Sequence, residues 1–157
     1  MWSTRPLYDG RYLVASPPVH ASIQWEDVAL LAARLALVAL FLPSGMNKLL
    51  HMDQFVASLA QHALPYYPKV FAGLAVIAEV GGSLMLLLGL MTRWAALLLF
   101  VFVLAATGIS HRYWEFEPPQ RQVQQMNFQK NLAIAGGLLA LSIAGGGIIG
   151  LDRRRRR

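Results

Sequence analysis

Four apolar runs, separated by short polar stretches, dominate the chain: Val28–Leu42, Val70–Met91, Trp94–Ile109 and Leu132–Leu151. Crossing a bilayer core takes ~20 mostly apolar residues in a helix. The second and fourth runs reach that length unaided. The third reaches it through Ser110 and His111, and the first by continuing past Pro43 into Met46–Leu50. The pattern predicts an all-α chain, a four-transmembrane-helix bundle.

The connections carry their own periodicity. After Asp53, placed to cap a helix, Phe55, Val56, Leu59 and Ala63 follow at helical spacing, with Gln54, Ser58, Gln61 and His62 on much of the rest. A short amphipathic helix over Met52–Leu64, lying at the outer interface, is expected, and Pro65 and Pro68 break the chain after it. The polar stretch His111–Lys130, with Pro118-Pro119 and several glutamines, predicts a partly ordered flap. Ser44-Gly45-Met46-Asn47-Lys48 closes the first span much as Thr107-Gly108-Ile109-Ser110-His111 closes the third. Gly81-Gly82 is likewise matched by Gly136-Gly137. Two similar helical hairpins, or chance likeness between glycine-rich apolar helices, account for this equally well. The chain divides into an N-terminal tail (1–26), a membrane domain (27–152) and a basic tail (153–157).

Composition sharpens this picture. Charged residues make up 14% of the chain, against ~25% in soluble domains. Too little polar surface is left to cover a soluble fold. Met1–Trp25 lacks the apolar core of a cleavable signal. The net charge of +6 comes mostly from Arg153–Arg157. These arginines form a solvated run or an anchor against anionic lipid; without interleaved aromatics they do not read as a nucleic-acid site. With both termini cytoplasmic, Arg5, Arg11, Arg93 and the tail arginines lie inside, and Lys48, Lys69, Arg112, Arg121 and Lys130 outside. The positive-inside rule favours that orientation.

Two charges interrupt the runs: Arg34 in the first and Glu79 in the second. At membrane depth each costs at least ~2.5–3.5 kcal/mol unless paired, wetted or used. A rise of ~1.5 Å per residue leaves roughly 8 Å between them along the bundle. They are expected to couple directly, through water, or through Lys48. Pro43 and Gly45 loosen the first span beside Ser44, Asn47 and Lys48, so Glu79 is expected to floor a wet notch in the outer half, with Ser44, Ser83 and Thr107 lining it. Asn131 completes the candidate intramembrane site of Arg34, Lys48, Glu79 and Asn131, with His111 and Lys130 at the outer rim. Each has a plainer reading: a structural ion pair for Arg34 and Glu79, snorkelling for Lys48 and Lys130, and a helix cap or interhelical bond for Asn131.

Much chemistry is excluded by residue type. There is no cysteine, hence no disulfide, thiolate nucleophile or iron–sulfur ligation. None of His20, His51, His62 and His111 lies mid-span, where a haem held in the bundle would need its ligands. No metal site is expected from them, nor is there a nucleophile–base pair.

Arg34…Gly45-x-x-Lys48-Leu49, Ala78-Glu79-Val80-Gly81-Gly82…Gly89-Leu90-Met91-Thr92-Arg93, and Phe128-Gln129-Lys130-Asn131-Leu132…Gly136-Gly137 with a closing Leu151-Asp152 resemble, in order and spacing, the DoxX family. The resemblance covers roughly residues 28–152 and leaves out both tails. It implies a multi-pass protein of the bacterial inner membrane, associated with redox chemistry. One relative is a subunit of a thiosulfate:quinone oxidoreductase; another belongs to an oxidant-defence assembly. It supplies no agreed catalytic residues. The expectation is therefore a membrane subunit of a quinone-linked or oxidant-defence complex, not a free-standing catalyst. A quinone is the implied ligand. The bilayer, other membrane or redox subunits and a second copy of the chain are the implied partners. A small-molecule or proton permease and a ligand-free scaffold are the alternatives.

Overall fold

The computed structural model describes residues 23–62 and 66–152, and among them there is helix but no strand. Helix α1 spans Trp25–Leu50. A reciprocal capping box between Gln24 and Asp27 opens it, acidic residues occupy its first turn and Lys48 its last, as the helix dipole favours. It passes through Pro43 as helix. Helix α2 covers Met52–His62. It shows the predicted amphipathic pattern: Phe55, Val56, Leu59 and Ala60 are half-buried, and Gln54, Ser58 and Gln61 are exposed.

Helix α3, Pro68–Leu88, begins with proline at its first position and ends at Gly89, which takes the left-handed conformation (φ 61). A π-helical turn, Ile77–Gly81, interrupts it. Helix α4 is Thr92–Ser110, and a 3-10 turn, Tyr113–Glu115, follows it. Helix α5 is Gln120–Ala144.

Helix α5 corrects the expected layout at both ends. The predicted flap is helical from Gln120 onward, because glutamine and lysine are good helix formers and Pro119 ends the loop before them. At the other end α5 stops at Ala144, and Gly145 and Gly147 adopt positive φ. The fourth apolar run is thus part helix and part a segment folded back under the bundle.

The exterior is apolar, and several polar side chains are buried beside an apolar core. Arg34, Glu79, Ser83, Thr92 and Thr107 are buried, while Leu40, Leu74, Ile77, Val101, Leu139 and Ile143 are exposed. A surface of that kind suits lipid, which satisfies leucine and leaves polar groups to be paired internally. One core, with Val38, Phe41, Leu86, Leu99, Val103, Leu138 and Leu141 at its centre, draws on α1, α3, α4 and α5. Among the described residues three helical stretches are long and apolar enough to cross a membrane: Trp25–Leu50, Pro68–Leu88 and Thr92–Glu115. Glycine sets the close approaches between helices. A Cβ on Gly45 of α1 would lie 2.9 Å from Glu79 Cβ, and one on Gly82 would lie 2.8 Å from Leu99 Cγ. Residues 1–22, 63–65 and 153–157 lie outside the described residues, and with them both tails, the predicted end of α2 at Ala63–Leu64 and the Pro65 break.

Candidate polar chamber in the bundle

The Gly45 contact brings α1 against the π turn of α3, and Glu79 sits at that crossing. Lys48, one turn beyond Ser44 on α1, donates to both carboxylate oxygens of Glu79, at 2.7 and 2.6 Å. Ser44 Oγ donates to Glu79 Oε1 at 3.1 Å, and Lys48 Nζ lies 3.2 Å from Ser44 Oγ. The Glu79 side chain is 4% exposed and that of Lys48 24%. Two aromatic rings, Phe55 of α2 and Phe102 of α4, each stand 5.5 Å from the ammonium. They add cation–π stabilisation and keep water from its flank. The site is a neutral, hydrogen-bonded ion pair on the side of a cavity.

That cavity has a volume of about 320 Å³ and lies between α1, α3, α4 and α5. Ser44, Lys48, Glu79, Ser110, His111 and Asn131 supply its polar wall; Phe41, Phe102 and Ile134 are among its apolar lining. His111 Nδ1 is 2.7 Å from Gln124 Oε1. The Asn131 amide has no hydrogen-bond partner among the described residues. Four predicted site residues, Lys48, Glu79, His111 and Asn131, therefore meet in one chamber.

The expected Arg34–Glu79 coupling is overturned. Arg34 is 1% exposed and serves the opposite end of the bundle, beside the α3–α4 turn. It donates to Leu86 O at 3.5 Å and to Ile149 O. Leu86 lies in the last turn of α3, at the negative end of the helix dipole, and its carbonyl also accepts from Gly89 N–H at 3.2 Å. The Arg34 Nε is buried without a hydrogen-bond partner among the described residues. The Asp152 carboxylate acts on Arg34 electrostatically.

The same end holds interactions that residue types alone did not reveal. Asp152 accepts from the backbone N–H groups of Met91 at 2.6 Å and Thr92 at 2.9 Å, capping α4 from a distant part of the chain. Asp27 accepts from Ile148 N at 2.8 Å. The resemblance had flagged the closing Leu151-Asp152, but not what it does. Lys130 is exposed and lies outside the lining of the chamber. Of the three hydroxyls expected along the notch, only Ser44 lines it; Ser83 is fully buried, and Thr107 donates to Val103 O at 2.6 Å. Among the described residues no three His, Asp or Glu side chains gather as metal ligands would.

The sequence model of the DoxX family matches residues 29–112. The chain belongs to the DoxX family. The DoxX segment contains Arg34, Lys48, Glu79 and His111, while Lys130 and Asn131 lie beyond it. Two Escherichia coli (strain K12) proteins are similar over most of the chain. Inner membrane protein YphA is 38% identical over 129 residues, covering 82% of this chain and 91% of its own. Inner membrane protein YqjF is 31% identical over 131 residues, covering 82% of this chain and 92% of its own. No solved structure matches the chain significantly. Its DoxX membership and its apolar exterior make it an integral membrane protein.

Proposed function

We propose that this DoxX protein is an inner-membrane subunit of a redox assembly, holding the head group of a quinone in the chamber beside Lys48 and Glu79. The observation that carries the reading is an unpartnered Asn131 amide and a neutral ion pair on the walls of one cavity of about 320 Å³ inside the bundle. Small-molecule sites have this mixture of apolar lining and few convergent polar groups. A quinone ring is flat, neutral and bears acceptors at opposite edges. Asn131 offers a donor for one edge, and the Ser110 hydroxyl another. Lys48, already held by Glu79, leaves no net charge that would select an anion. When bound, the quinone supplies a two-electron, two-proton couple. The protein's residues orient the ring, and Glu79 and His111 are the groups able to exchange protons beside it. A chain without cysteine holds no electrons in thiols, so these come from a partner subunit.

The wider reading places four spans in the membrane. Helix α5 is the fourth: Ala135, Leu138 and Leu141 are buried in the shared core, and its 25 residues extend about 37 Å at 1.5 Å per residue. Helix α2 lies at the outer interface and both termini face the cytoplasm. Support comes from the amphipathic face of α2, from Arg93 in the α3–α4 turn, and from the inner-membrane relatives.

The test is purification from native membrane in mild detergent. A bound quinone and a co-purifying redox partner are expected, with the quinone lost in Asn131→Leu. Recovery of the protein with neither would overturn the reading. Proton flux in quinone-free proteoliposomes would replace it with the permease.

A further inference from the structure

A second cavity, of about 430 Å³, adjoins the chamber. It runs between α3 and α4 under α2, and among the described residues its only polar lining is Lys48 and Ser110. Lys48, Phe102, Ala106 and Ser110 line both cavities. The two therefore meet at the Lys48–Phe102 contact. Alanines at 75, 78, 105 and 106 make the room. Leu74, Leu98 and Val101 stand on its exposed side, on helices long enough to cross a membrane. It opens toward lipid, and Phe55 and Leu59 of α2 roof it.

We infer that this groove is the subsite for the hydrocarbon tail of the ligand, a prenyl or long alkyl chain whose ring occupies the polar chamber. The inference rests on the quinone reading above. Three features choose a neutral single-chain amphiphile over a phospholipid. The groove has no cation of its own, because Lys48 is engaged by both oxygens of Glu79. A phosphate would leave that pair competing for the same ammonium, at a cost in desolvated charge. The polar chamber, of about 320 Å³ with Asn131 and Ile134 of α5 on one wall, has the volume of a single ring-sized head group rather than of a head group with two chains. The ligand therefore enters sideways from the bilayer, beneath α2, and not from water.

The experiment uses the full-length protein in phosphatidylcholine nanodiscs. The probe is a tetramethylbenzoquinone with one methyl replaced by a decyl chain ending in a diazirine. Photolysis and peptide mapping are expected to place the crosslinks in 71–78 and 98–109. They should be displaced by the non-photoreactive decyl homologue and lost in Ala105→Trp, which fills the groove. Crosslinks spread evenly over lipid-facing positions such as Leu35 and Leu139 would mean annular contact only and overturn the inference. Mapping on the unmodified protein keeps this decision independent of how well the tryptophan variant folds. Tetramethylbenzoquinone without a tail separates the two proposals. If it binds in an Asn131-dependent manner while the tail labels at random, the tail groove falls and the head-group chamber stands. If it does not bind, and Asn131→Leu leaves the decyl probe's labelling unchanged, the quinone reading falls.

Discussion

At the scale of the residue, the central fact is which cation meets Glu79. The Lys48 ammonium lies 2.6 and 2.7 Å from its two oxygens, whereas Arg34 donates through its two terminal nitrogens to backbone carbonyls at the opposite end of the bundle. Removing one partner of a buried pair strands the other, at ~3–5 kcal/mol. Glu79→Leu and Lys48→Met are each expected to reduce folded protein in detergent strongly, and the double variant less than the sum. Arg34→Met with Glu79→Leu is expected to be additive within ~0.5 kcal/mol, as for sites that share no partner. Equilibrium unfolding of the variants measures both cycles. Additivity for Lys48 and Glu79 would remove the pair from the account.

At the scale of the element, a glycine and a cap hold the helices in place. Any side chain at Gly45 meets Glu79 Cβ and Val80 Cγ2 at 2.9 Å, and those atoms belong to the packed π turn. Gly45→Val is expected to push α1 off α3, lower thermal stability and weaken ligand retention together. The neighbouring Gly81, where a Cβ would meet nothing within 4 Å, serves as the control. The cap contributed by Asp152 to α4 is worth ~0.5–2 kcal/mol by analogy with side-chain N-caps. Asp152→Ala is therefore expected to lower stability by about that amount, measured by unfolding. Asp152→Asn, which keeps one acceptor, should lose less.

At the scale of the whole molecule, polar groups converge in the half of the bundle that holds Lys48, Glu79 and Asn131, while the opposite end is clasped by the segment that follows α5. Single cysteines are easily placed in a chain that has none. In membranes, Ser44→Cys and Ser110→Cys are expected to react with a small impermeant thiol reagent from the outside, because both line the chamber. Ser83→Cys and Thr107→Cys are expected to be inert, since both sites are buried. Labelling of Ser44→Cys from the cytoplasmic side would reverse the orientation proposed for the bundle.

The sequence by itself determined the helical class, the apolar exterior, the amphipathic α2 and the small set of polar residues from which a site could be built. Each is a property of local pattern: hydropathy over a window, a 3.6-residue period, a charge too costly to leave in lipid unpaired. Only the tertiary structure decided how that set divides. Whether Glu79 faces Lys48 or Arg34 depends on rotation about two helix axes and on the Gly45 crossing. Neither is encoded in the depth of a residue along its own span. The extent of α5 was illegible for a related reason. Its polar first turns read as loop because their partners, such as His111 for Gln124 and Tyr113 for Phe128, are brought to them by the fold. The clasp at the far end was hidden because Asp27, Arg34 and Asp152 bond to backbone groups, and backbone groups carry no residue identity to read.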